Sequence, residues 1–207
     1  MRKTPSVTQF SGFLGGLENS DRNAHDTGRD TEKCGFTLHH RASKILHNSR
    51  DGMPVWIPLS NGGYALVIES THLRNEAGRH PFVIQILYSE DGRGWTEPAD
   101  IYIPRTDNSK AGAPWIAELP DGRLAVSFQT DEDKAVKGDR TSVMKIMLSD
   151  GKPAKDLRLD SFSPAETVFN VPEEAGALLA AVYTDGAELF VSAGSPDGAV
   201  MKRFRET

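Results

Sequence analysis

The stretch MPVWIPLSNGGYALVIE at residues 53–69 is echoed about sixty residues later by APWIAELPDGRLAVSFQ at residues 113–129. Leu59 falls on Leu119, Gly62 on Gly122 and Ala65 on Ala125. Further along, Val83 falls on Val143, Ile86 on Ile146 and Ser89 on Ser149. A one-residue slip between Pro54-Val55-Trp56-Ile57 and Pro114-Trp115-Ile116 superposes the two tryptophans. A weaker third copy begins near Leu178, where Thr184-Asp185-Gly186 repeats the turn at Pro120-Asp121-Gly122. Self-similarity at this period marks an architecture in which each unit buries its apolar face against the next.

Within a unit the apolar residues come in runs of strand length. Residues 53–59 end at the turn signal Ser60-Asn61-Gly62-Gly63, and residues 64–69 are nearly all apolar, the pattern of a strand buried on both faces. Residues 82–88 and 99–103 complete a four-strand set, the make-up of one antiparallel propeller blade. The second unit reads as strands over 114–119, 123–129, 142–148 and 166–169, the third over 178–183, 188–193 and 199–204. Gly, Pro and Asp-Gly turns recur too often for helices of ordinary length. The expected fold class is all-β, a partial propeller of about two and a half to three blades. An immunoglobulin-like sandwich shares the short strands and leaves the repeat unexplained. Closed propellers take typically four to eight blades. The chain is therefore expected to belong to a larger protein, to be completed by a second copy, or to hold more sheet in its first fifty residues than they show. Open sheet edges make self-association through exposed blade edges a further expectation.

Residues 1–50 read differently. They are rich in Gly, Asn, Asp, Arg and His without sustained periodicity, which predicts an irregular N-terminal segment before a propeller domain at 51–207. Of the 207 residues, 38% are apolar and 26% charged, ordinary for a globular protein. A formal net charge of −5 supplies no basic field for nucleic acid. No apolar run approaches the roughly twenty residues of a membrane helix, and none near Met1 has signal-peptide length. At face value the chain is cytoplasmic, or secreted if its N-terminus is truncated. The single cysteine, Cys34, forms no intramolecular disulfide.

Ser89-Glu90-Asp91-Gly92-Arg93-Gly94-Trp95 resembles the Asp-box turn of the sialidase superfamily, one residue short of the usual S-x-D-x-G-x-x-W. Asp and Ser suit such a turn by bonding its backbone, Gly by a positive φ, and Trp by anchoring the hairpin. Ser149-Asp150-Gly151 and Ser195-Pro196-Asp197-Gly198 look like degenerate copies. The segments MPVWIPLSNGGYALVIE, FVIQILYSEDGRGW and AGAPWIAELPDGRLAVSFQTDED are similar to the exo-arabinanase-like branch of sialidase-fold glycoside hydrolases. That resemblance covers residues 52–204. It implies a six-bladed propeller, exo-acting and retaining hydrolysis of arabinan-type glycans, a carbohydrate partner and no cofactor. A sialidase proper is disfavoured, because the early Arg-Ile-Pro motif of that activity is missing from this sequence.

Glycoside hydrolysis needs two carboxyl groups flanking the scissile bond. Glu69 closes an apolar strand before the polar loop at residues 70–80, and Glu132 sits in Thr130-Asp131-Glu132-Asp133, just past the matching strand of the next unit. Glu69 corresponds to Gln129, so both glutamates are expected on one rim of adjacent blades. The resemblance points to the same pair, and which is acid and which nucleophile stays open. The plain alternative is a solvated strand end and a hydrated acidic loop. Asp131 and Asp133 are candidates to tune the site or bind substrate, and Gln129 and Thr130 to hydrogen-bond at the rim. Arg74, with His72 and Arg79, is a candidate for sugar hydroxyls, set against an ordinary exposed loop. Trp56 and Trp115 read as packing residues rather than sugar platforms. None of the six histidines has metal-site spacing, so no metal is expected.

Overall fold

The computed structural model describes residues 51–204 apart from positions 75, 77, 79–80, 107–108, 133–141, 172–179, 186–187 and 196–197. The expected irregular segment 1–50 lies outside the described residues, as do Cys34, Arg79 and Asp133. The described chain is all-β. β1 (Asp51–Pro58), β2 (Tyr64–Ser70), β3 (Val83–Ser89) and β4 (Ala99–Tyr102) form the first sheet in that order. β5 (Ala111–Glu118), β6 (Leu124–Thr130), β7 (Ser142–Leu148) and β8 (Glu166–Val171) form the second. β9 (Ala180–Asp185), β10 (Glu188–Ser195) and β11 (Gly198–Phe204) form the third. Every neighbouring pair is antiparallel. Two single-turn 3₁₀ helices, Ala154–Asp156 and Leu159–Ser161, interrupt the connection from β7 to β8.

The sequence repeat is a repeat of backbone geometry. β1 bulges against β2 between Gly52 and Val55, and β5 bulges against β6 between Gly112 and Trp115. Each bulge holds a non-glycine residue in the left-handed region, Met53 at φ 48° and Ala113 at φ 50°. That conformation costs about 1–2 kcal/mol for a residue with a Cβ, and strain of this kind gathers where a fold positions something. The following turns also match. The Gly62 N–H meets the Leu59 carbonyl at 3.1 Å and the Gly122 N–H meets the Leu119 carbonyl at 2.9 Å, with φ of 93° and 85°.

The neighbour of that first turn, Gly63, carries a separate demand. At φ 83° an added Cβ would lie 2.7 Å from both the Ser89 carbonyl and the Tyr88 hydroxyl, whereas one at Gly122 meets nothing within 4 Å. Gly122→Ala is expected to cost about 1 kcal/mol from backbone conformation alone. Gly63→Ala is expected to cost about 3 kcal/mol, since a clash adds to the strain. Urea denaturation of the two variants checks the ordering.

Register corrects the alignment of the tryptophans. Val55 and Trp115 oppose Val67 and Ser127, while Trp56 and Ile116 oppose Leu66 and Val126. The units therefore superpose without a slip, and Trp56 is the counterpart of Ile116, not of Trp115. Because strand side chains alternate between faces, the two tryptophans point opposite ways. Trp115 packs against the core between the second and third sheets. Trp56 faces away from the second sheet, 45% exposed, edge-on to Tyr64 at 5.5 Å. The expectation of packing holds for Trp115 and fails for Trp56.

Two apolar layers hold the three sheets together. Ile57, Val67 and Ile86 of the first sheet meet Ile116, Val126 and Phe128 of the second. Ala125, Ile146 and Phe169 on the other face of the second sheet meet Val182, Leu189 and Val191 of the third. The second sheet is thus buried on both faces, which is why residues 124–128 are buried without alternation and all but Ser127 are apolar. The first strands β1, β5 and β9 lie beside one another in succession. The hairpin from β3 to β4 is closed by its own side chains. Asp91 Oδ1 accepts from the Arg93 and Gly94 N–H groups at 2.8 and 3.0 Å, and Ser89 Oγ accepts from the Gly92 N–H at 2.8 Å.

Candidate active site

Glu69 is the penultimate residue of β2, opposite Gly52 of β1, on the face turned toward the second sheet. Its Oε2 accepts the Ala113 N–H at 2.8 Å, so the left-handed residue of the β5 bulge is the one that meets the carboxyl group. Two glycines wall it. A Cβ at Gly112 would stand 2.5 Å from Oε2, and one at Gly52 would stand 3.0 Å from Oε1. The carboxyl lies in a slot between backbones of adjacent sheets. Burial pushes its pKa up, and the Ala113 N–H bond and the Lys110 charge pull it part of the way back.

Gln129 occupies the same place one sheet on, opposite Gly112 as Glu69 is opposite Gly52. Its Nε2 is buried and has no hydrogen-bond partner. Beyond it, Asp131 and Glu132 reach back to the connection between β4 and β5. Asp131 Oδ1 accepts the Lys110 N–H at 2.8 Å. The Glu132 carboxylate accepts the Tyr102 hydroxyl on one oxygen and the Arg105 N–H on the other. Glu69 and Glu132 both bond the segment from Tyr102 to Ala113, though they share no partner within it.

The loop after β2 carries the remaining candidates. Arg74 is exposed and its Nε donates to the Gly78 carbonyl at 3.4 Å, within its own loop. His72 is half-buried rather than an exposed loop residue. Its Nε2 lies 3.2 Å from Asp100 of β4, and its Nδ1 lies 3.3 Å from the Gln85 amide nitrogen. One tautomer satisfies both contacts, with the proton on Nε2. The Gln85 nitrogen also donates to Asp100 at 2.9 Å, which fixes the amide orientation. Thr130 is buried and its hydroxyl accepts the Glu132 N–H at 3.2 Å.

Two rim residues escaped the sequence reading. Asp51 and Ser70 are cross-strand partners at the end of the β1–β2 ladder, and Asp51 Oδ1 and Ser70 Oγ are buried without partners. The available signal was the repeat itself, which carries Ala111 and Thr130 at the equivalent positions. Among the described residues no group of three or more His, Cys, Asp or Glu side chains is placed to hold a metal ion. No described helix is long and apolar enough to cross a membrane.

No protein-family model and no curated protein matches the sequence. Solved structures do match. The α-L-arabinanase of Penicillium chrysogenum, complexed with arabinobiose, superposes with a TM-score of 0.51 at 13% identity, over 78% of this chain and 44% of that one. The Hadza microbial sialidase Hz136 superposes with a TM-score of 0.54 at 18% identity, over 76% of this chain and 32% of that one. The fold is that of the propeller glycoside hydrolases. At these identities the likeness is one of architecture, and the chain spans less than half the length of either structure. Among the described residues, that fold is represented by three antiparallel sheets stacked through two apolar layers.

Proposed function

We propose that this chain acts on glycans as a glycoside hydrolase of the sialidase and exo-arabinanase type, with Glu69 and Glu132 as its paired carboxyl groups. The observation that carries the reading is the seat of Glu69. A carboxyl raised in pKa by burial, held by one backbone N–H and flanked by glycines, suits proton donation to a leaving glycosidic oxygen. Glu132, held as a double acceptor, takes the nucleophile or base role on the neighbouring sheet. Gln129 contributes an unspent amide donor, while Asp131 fixes the end of the connection leading into β5, the strand that carries Ala113. Arg74 and Asp133 complete the proposed substrate contacts, and no cofactor enters the chemistry.

A second reading, carbohydrate binding without hydrolysis, draws support from the same Glu132 contacts. A carboxylate tied to Tyr102 and Arg105 also serves as a clamp between sheets. An activated aryl arabinoside separates the two. Hydrolysis requires turnover that falls by about 10²-fold or more in Glu132→Gln, with the variant still folded by circular dichroism. Equal turnover in wild type, Glu69→Gln and Glu132→Gln overturns the hydrolase assignment. Binding of arabino-oligosaccharides with no turnover by any form of the protein favours the binding reading.

A further inference from the structure

We propose that two copies of this chain pack head to tail, the outward face of the third sheet of each on the outward face of the first sheet of the other, and so close one ring of six blades. Two junctions of this kind already exist within the chain. The face of the first sheet that carries Glu69 meets the second sheet, and the face of the second sheet that carries Gln129 meets the third. One face of each kind is left over, and neither belongs to either apolar layer. Both are nevertheless apolar. Where the second sheet presents Ile116, Leu124 and Val126 to the first, the first presents Trp56, Tyr64 and Leu66 outward. The third sheet turns outward Tyr183, Phe190 and Met201. Among the described residues the exposed large apolar side chains are Met53, Trp56, Leu159, Tyr183 and Met201, and three of the five stand on these two faces. Ile68 and Leu87 are buried, so the open strip of the first face runs along β1 and the start of β2.

Continuity with the internal junctions sets how the copies meet. β5 lies against β1 and β2, and β9 lies against β5 and β6. By the same step β1 of the second copy lies against β9 and β10 of the first. That places the partner's Trp56 on the rings of Tyr183 and Phe190, which stack 5.5 Å apart at 17°. A tryptophan seated on an aromatic pair is a strong anchor for an interface. Counting then fixes the number of copies. Propellers close with typically four to eight blades. One copy supplies three sheets, two supply six and three would supply nine, so only a pair falls in that range. The stack aligns with 44% of the arabinanase, which leaves room in one ring for a second. Residues 1–50 hold no copy of the sixty-residue repeat, so a second chain, rather than that segment, is the occupant with matching faces. A two-fold axis makes both junctions at once. Each therefore supplies about half of the roughly 1,600 Å² that a stable interface buries.

This inference does not rest on the hydrolase reading, and the oligomeric state of the full chain tests it. Sedimentation equilibrium at micromolar concentration is expected to give twice the 22.6 kDa of one chain. Trp56→Glu and Met201→Glu each put a charge into a junction, one on each face. Either should weaken association by about 10²-fold or more. Circular dichroism should stay that of wild type, because both side chains are exposed in the single chain. If Trp56→Glu does not fold, Met201→Glu decides from the other face. Cross-linking reads which faces meet. In a Cys34→Ser background, Trp56→Cys mixed with Tyr183→Cys is expected to join into a dimer through a short bismaleimide, and neither variant alone should do so. A cross-link in either variant alone means that like faces meet, and that overturns the proposal. So does a mixture that fails to cross-link, or a Met201→Glu variant that associates as wild type does. A monomeric wild type overturns it too, whatever then covers the two faces. A mass that climbs past two copies with concentration marks a junction that does not close, and the ring falls with it.

Discussion

Glu69→Gln is expected to lower turnover of an arabino-oligosaccharide, whose alkoxide leaving group needs a proton, by about 10²–10⁴-fold, the usual contribution of a positioned acid, and to make the protein more stable at neutral pH. The two effects share one cause. The folded state raises the pKa of this carboxyl above its ordinary value of 4.5, chiefly by burial. Its contribution to stability is therefore fully present below the unfolded pKa and is lost as pH rises through the folded one. Glutamine imitates the protonated form, and its amide oxygen can still accept the Ala113 N–H. The stability difference between variant and wild type should thus be small at pH 4 and grow toward pH 7. Urea titrations at both pH values check the sign. A variant less stable than wild type at pH 7 would mean that the ionised carboxylate is a net structural asset, and the proton-donor role would lose its basis.

How much of this is legible in the sequence depends on how far apart the determining partners lie. The sheets were legible because their causes are local. Turn glycines at 62 and 122 and apolar runs such as Ala125-Val126 announce the strands directly. Glu69 was legible as the last side chain of one such run. Its seat was not, because the Ala113 N–H and the Gly112 backbone come from another sheet, and nothing in one-dimensional pattern marks a bulge. Glu132 illustrates the same limit. Its position after the matching strand was readable, whereas its bonds to Tyr102 and Arg105 cross the gap between sheets.

The tryptophans misled for a different reason. Matching residue types invited a one-residue slip, and in a structure of period two a slip inverts the face. Bulges at Gly52 and Gly112 preserve the true spacing, so register followed the backbone device and ignored the side-chain identity. Asp51 and Ser70 drew no attention because small polar residues at a strand end look ordinary. That their oxygens are buried without partners is visible only in the folded chain.

Gly112→Ala should be the most damaging of the small substitutions around the site. The added Cβ would lie 2.5 Å from Glu69 Oε2 and 3.5 Å from Cδ. Contacts that short are not tolerated, so either the carboxyl leaves its seat or the β5 strand moves. In both cases the Ala113 N–H bond is lost. A displacement of about 1 Å at a reacting group costs on the order of 10²-fold in rate, and the expected signature is a fall in kcat with little change in KM. Gly52→Ala provides the internal comparison. Its Cβ would stand 3.0 Å from Oε1, a contact relieved by a shift of a few tenths of an ångström, so its rate loss should be several-fold at most. The Ala113 amide proton reports the seat without reference to activity. In wild type it should move as Glu69 titrates, and that movement should vanish in Gly112→Ala and in Glu69→Gln while persisting in Gly52→Ala. If the amide in Gly112→Ala still follows a carboxyl titration, the glycine is not what holds Glu69 in register. The repeated bulge would then belong to the architecture of the sheet rather than to its chemistry.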